Sequence, residues 1–134
     1  MAALFGATFA GAIVGYDLWF YFIHRVLHVP AVYKRFHYQH HAFRHPTARE
    51  AFHASVTENV LSGLGILTPV LWLRPFSAGG LAAAWFICFV RGVLRHDARA
   101  AWLVGHHHLQ HHLNPDCNFS AWYIDALLGT AYNK

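Results

Sequence analysis

The chain has 134 residues, a length that suits one domain. Hydrophobic residues make up 56% and charged residues 12%, with a mean hydropathy of +0.27. Soluble domains carry about twice that charged fraction, so the composition points to a membrane protein. The net charge of +4 is too small and too dispersed for a nucleic-acid partner, and Cys88 and Cys117 form no CxxC pair, which leaves neither a disulfide framework nor a thiolate metal site.

Residues 2–23 run AALFGATFAGAIVGYDLWFYFI, with Asp17 as the only charge. About 20 apolar residues cross a hydrocarbon core, so this run is expected to span. No basic residue precedes it and no small-residue cleavage site follows, which sets it apart from a signal peptide. Its exit, Trp19, Phe20, Tyr21 and Phe22, has the aromatic character of a membrane interface.

Residues 24–50 are basic and rich in histidine, with Pro30 breaking the chain between His28 and His37. Residues 51–73 become apolar from about Val60, and residues 77–94 form a third apolar stretch beyond the Arg74-Pro75 turn. Both are short for independent spans and are expected to make a helical hairpin that crosses with tilt or enters partway. Residues 24–50 and 95–134 then meet on one side, together with nine of the ten Lys and Arg residues, Lys134 included and only Arg74 opposite. The positive-inside tendency makes that side cytoplasmic. After the Asn114-Pro115 turn, the tail is expected to form a short amphipathic helix stopping near Gly129. The predicted fold class is thus an all-α integral membrane bundle with histidine-rich short helices on the cytoplasmic side, one domain over 1–134. Eight Arg against two Lys, with abundant Ala, suits a GC-rich bacterial genome and hence a bacterial inner membrane.

Three histidine boxes carry the chemistry: HRVLH (His24, His28), HYQHH (His37, His40, His41) and HLQHH (His108, His111, His112). Residues at i, i+3 and i+4 share one face of a helix, so each box is expected to present its imidazoles together. Neutral imidazole binds Zn, Fe, Cu or Ni. One zinc needs three or four ligands, so eight histidines suggest two metals. Glu50, Glu58, Asp97 and Asp116 form no Glu-x-x-His motif of the soluble di-iron bundles, which leaves an all-nitrogen site.

With the tail NFSAWYIDALLGT, these boxes resemble the fatty acid hydroxylase and sterol desaturase superfamily from about Asp17 to Thr130, and the spacing is closer to its sterol-oxidase side. The resemblance implies a membrane-bound enzyme with two non-haem iron ions. It would use O2 and an external electron donor (ferredoxin- or cytochrome b5-like, or a reductase) to hydroxylate or desaturate a sterol-like, fatty acyl or carotenoid lipid. Carried over residue by residue, the implied ligands are His24, His28, His37, His40, His41, His108, His111 and His112.

Departures accompany the match. Arg91 and Arg95 stand near positions where some relatives have histidine, which makes His96 the remaining ligand candidate of RGVLRHD. Ser55 occupies another such position, with His53 two residues away as a substitute; His107 is a further possible ligand, while His106 and His45 read as exposed or loop residues. The closing Asn-Tyr-Gly is Asn118-Phe119-Ser120, and Asn118 is placed beside the ligands. Asp17, seven residues before His24, is expected to hydrogen-bond a ligating imidazole, with helix packing as the alternative. Arg91, Arg95 and Arg99 suit either an acidic redox partner and lipid phosphate or ordinary membrane-interface roles. Many relatives carry further upstream spans, so the chain is expected to be a compact or trimmed member. The competing function classes are a membrane zinc- or nickel-binding or transport protein, a haem protein, and a catalytically degenerate member of the same family.

Overall fold

The structure, a computed structural model, describes residues 1–132; Asn133 and Lys134 lie outside the described residues, and with Lys134 one of the cations counted on the histidine side. The architecture is all-helical, and no strand occurs among the described residues. Helix α1 (Ala2–Leu27) has 26 residues and a length of roughly 39 Å, and it is the one described helix long and apolar enough by itself to cross a membrane. Its buried residues Thr8, Ala12, Gly15, Asp17, Phe20, Tyr21, His24 and Leu27 recur at helical spacing. Val14, Leu18, Phe22 and Val26 stand exposed on its other side.

At His28 the helix stops and Val29 turns extended, because Pro30 opens the next helix, α2 (Pro30–Val32), where its missing N–H costs nothing. The chain then widens into a π-helical turn over Tyr33–His37 and tightens into a 3₁₀ turn over His40–Ala42. The expected hairpin is present: α3 (Val56–Leu64) and α4 (Thr68–Trp72), joined by a 3₁₀ turn, lead through residues 73–77 into α5 (Ala78–Leu94). Ser77 caps α5 by accepting from the Gly80 amide at 3.2 Å.

Helices α1 and α5 pack through Ala12, Ala84 and Cys88, with Ile66 from the hairpin. Gly80 makes the close approach possible, since a Cβ there would fall 2.7 Å from the Phe5 carbonyl oxygen. Short helices α6 (Ala101–Val104), α7 (His107–Leu113) and α8 (Trp122–Leu127) follow, and Gly129 ends the last with φ of 70°. Tyr21, Phe119 and Ile124 form a second apolar cluster that fixes the tail against α1.

A buried polar knot ties the same elements. The Asp17 carboxylate accepts from both terminal nitrogens of Arg91 on α5 and, at 2.7 Å, from the Tyr123 hydroxyl on α8. Ser120 adds a 2.6 Å bond to the Asp17 carbonyl. Asp17 therefore bonds no imidazole, contrary to expectation: a guanidinium one helix away supplies a stronger, two-pronged partner. Arg91 is likewise engaged within the bundle, its guanidinium paired with Asp17.

Candidate metal centre

Nine imidazoles converge in two adjoining groups. His24, His28, His37, His41 and His111 form one, and His40, His96, His108 and His112 the other, each with its nearest nitrogens within 4.8 Å of one another. The groups touch, for the rings of His41 and His112 have centroids 4.8 Å apart.

The sequence placed each HxxHH box on one face, whereas the structure divides both boxes. His37 and His41 enter the group of five while His40 enters the group of four; His108 and His112 enter the group of four while His111 enters the group of five. The reason is angular. Positions i and i+4 differ by about 40° around a helix, but i+3 and i+4 differ by about 100°. Over the short reach of an imidazole that step separates two neighbouring centres. His24 and His28, four apart, stay together as expected.

Hydrogen bonds at the outer ring nitrogens aim the inner ones. Nδ1 of His24 donates to the Phe119 carbonyl at 2.5 Å, that of His111 to the Cys117 carbonyl at 2.6 Å, that of His96 to the Gly92 carbonyl at 2.7 Å and that of His112 to the Phe43 carbonyl at 3.1 Å. A carbonyl only accepts, so each of these Nδ1 atoms carries the proton and each Nε2 presents a lone pair. His37 instead pairs with a side chain, its Nδ1 lying 2.8 Å from Glu58 Oε1.

The inner nitrogens are too crowded to be explained by hydrogen bonds. His111 Nε2, with one in-plane lone pair, has the Nε2 atoms of His28 and His41 both at 3.1 Å. His96 Nε2 has those of His40 and His108 at 3.1 and 2.9 Å. Buried His112 Nε2 has no hydrogen-bond partner among the described residues. Ring nitrogens crowded beyond what their protons can pair form groups that could hold a cation. The spacing is also informative: ligands about 2.1 Å from a shared ion lie ~3.0 Å apart at a right angle and ~3.4 Å apart at the tetrahedral angle. The observed 2.9–3.1 Å suits the first.

Burial keeps these imidazoles neutral, the form that binds metal. It pushes His28 down to about 3, with His37 adding to the effect. Burial and then the Arg95 cation push His96 to about 3, and His112 stands at about 4, mainly through burial. His40, His41, His108 and His111 are depressed further by burial among their neighbours.

The remaining sequence candidates lie outside both groups. His53 is exposed and meets the Phe43 ring edge-on, carried away by the loop before α3. His107 bonds buried Asp125 at 3.1 Å, and His106 and His45 are exposed. Asn118 hydrogen-bonds no imidazole. At φ of 58° it reverses the chain, and its side chain bonds the His107 carbonyl and the Tyr132 amide, which directs the next carbonyl, Phe119, at His24. Ser55 caps α3 by accepting from the Glu58 amide at 3.1 Å.

Glu58 and Asp125 are the residues the sequence did not single out. Ser55-x-x-Glu58 has the form of a capping box, yet Glu58 turns to His37 instead of back to Ser55. Asp125 receives the amides of Phe119 and Ser120, each at 2.8 Å, and the Thr130 hydroxyl at 2.7 Å. Replacing Glu58 with Ala is expected to weaken metal binding about 10–100-fold, with Gln retaining most of it because an amide oxygen still accepts from His37. Competition titration with a metal chelator would measure this; equal affinity in Glu58→Ala would show the contact to be dispensable.

A cavity of ≈130 Å³ adjoins the group of four. His40, His96 and Arg95 line it on one side, and Phe20, Ile66, Trp85 and Phe89 are among its apolar walls.

Comparison with known proteins follows the same outline. The chain is 38% identical over 63 residues to methylsterol monooxygenase 1 of Rattus norvegicus, covering 47% of the chain and 22% of the relative. It is 30% identical over 141 residues to methylsterol monooxygenase erg25B of Aspergillus fumigatus, covering 87% of the chain and 45% of the relative. It is 40% identical over 57 residues to the C-4 methylsterol oxidase of Candida albicans, covering 42% and 18%. The chain thus spans less than half the length of these relatives. No solved structure matches it. The family model described as Fatty acid hydroxylase matches residues 9–130, nearly the whole chain, and the chain belongs to that family.

Proposed function

We propose that this chain forms the metal-binding core of a membrane oxygenase that hydroxylates or desaturates a C–H bond of a lipid, using O2 and an external electron donor. The observation that carries the reading is the pair of adjoining histidine groups, one of which lines an apolar cavity through His40 and His96. The nine histidines are the proposed ligands, five for one iron and four for the other. Two irons there would supply the O2 activation that attack on an unactivated C–H bond requires.

The chain's own residues do the rest. Phe119, Cys117, Gly92 and Phe43 carbonyls and Glu58 orient the imidazoles, and burial excludes water from them. Phe20, Ile66, Trp85 and Phe89 offer the substrate an apolar environment beside the group of four. Helix α1 would cross the bilayer with its histidine end on the cytoplasmic face, and the α3–α5 hairpin would enter beside it within a single domain. Relatives named as methylsterol monooxygenases favour a sterol-like lipid, with fatty acyl and carotenoid lipids sharing the same apolar requirement.

Zinc or nickel handling is the other reading of a histidine cluster. The near-right-angle nitrogen spacing and a group of five favour iron over tetrahedral zinc. Metal analysis and the visible spectrum of untagged protein in detergent decide between them. About two irons per chain without a haem band are expected; zinc or nickel alone after iron-replete expression would refute the oxygenase.

A further inference from the structure

Arg95 is a cation at the cavity that has no ion-pair partner among the described residues. Its guanidinium lies over the Phe20 ring, 4.3 Å from the centroid, and its Nε is buried without a hydrogen-bond partner among the described residues. Asp17 is committed to Arg91, Asp97 to Arg99 and Asp125 to His107, while Glu58 gives Oε1 to His37 and keeps a buried Oε2 without a hydrogen-bond partner among the described residues. Glu58 also lines the cavity, but no ion pair joins it to Arg95 among the described residues. An unpaired cation against apolar walls is costly, and the cost rises beside metal ions. An anion entering the cavity would remove it.

We propose that Arg95 anchors the carboxylate of an amphipathic lipid, making it the residue that selects lipid acids over neutral lipids of the same chain length. This rests on the cavity being the substrate site of the proposed oxygenase. A planar guanidinium holds a carboxylate through two parallel hydrogen bonds, a match that a hydroxyl cannot make. Arg95 directly precedes His96, so the anchored head lies next to the group of four and the chain extends along Trp85 and Phe89.

Equilibrium binding of palmitate and 1-hexadecanol to the metal-loaded protein in one detergent tests this. The wild type is expected to favour palmitate by about tenfold or more, as a charge-assisted hydrogen bond implies. Arg95→Gln should bring the ratio close to one, and Arg95→Lys should keep part of it, with metal content unchanged in both. No preference in the wild type, or an undiminished preference in Arg95→Gln, overturns the proposal. If Arg95→Gln fails to fold, Arg95→Lys decides in its place: a preference undiminished there overturns the proposal. Because binding needs no turnover, a protein that holds two irons yet shows no preference refutes the anchor alone, and one without iron or O2-dependent product refutes the oxygenase alone.

Discussion

Alanine at His111 is expected to leave the group of five unable to hold its iron and to reduce O2-dependent product by more than about 100-fold, the upper range for losing a mere supporting contact. His111 is fully buried, and its Nε2 stands between those of His28 and His41. Its loss removes the ligand that links α7 to the histidines of α1 and of the 3₁₀ turn. The companion measurement is iron per chain in His111→Ala and in His40→Ala, which should deplete different groups. Full iron and full activity in either variant would sink the reading of that group as a metal centre.

Removing the carboxylate of Asp17 should produce the largest loss of stability. Asp17→Ala strips Arg91 and the Tyr123 hydroxyl of their shared acceptor inside the packed interface of α1, α5 and α8. Breaking a buried ion pair from one side costs about 3–5 kcal/mol; the lower end applies here because the Arg91 side chain keeps 28% of its exposure. Asp17→Asn retains an acceptor for Tyr123 and should lose less. Thermal unfolding in detergent reads the difference. Tyr123, which loses its acceptor, lies four residues after Phe119, whose carbonyl aims His24, so the variant should release metal before it unfolds. Unfolding with metal fully retained would show that the knot and the site are independent.

The fold was largely legible because its determinants are local. A long apolar run, Pro30 at a helix start and the turn before Ser77 each act within a few residues. The histidines that gather were legible too, from residue type and spacing. Their division into five and four was not, because a shared helix face still spans the step of about 100° between positions i+3 and i+4, which the short imidazole turns into two neighbouring centres, on α7 as on the π-helical and 3₁₀ turns. Glu58 and Asp125 were missed for a related reason. Their partners His37 and His107 are 21 and 18 residues away, and no short motif joins them. Asp17 was recognised as a costly carboxylate, but its partner was set by how α1 meets α5, at a separation of 74 residues.

The carbonyls that aim four of the imidazoles belong to Phe119, Cys117, Gly92 and Phe43, and every amino acid carries a carbonyl. The tautomers therefore depend on the path of the chain and not on side-chain identity at these positions, although the Phe119 ring helps hold that path through its cluster with Tyr21 and Ile124. Insertions and deletions are the changes such a centre does not tolerate. One residue added between Asn114 and Phe119 would rotate two acceptors away while leaving every histidine in the sequence intact.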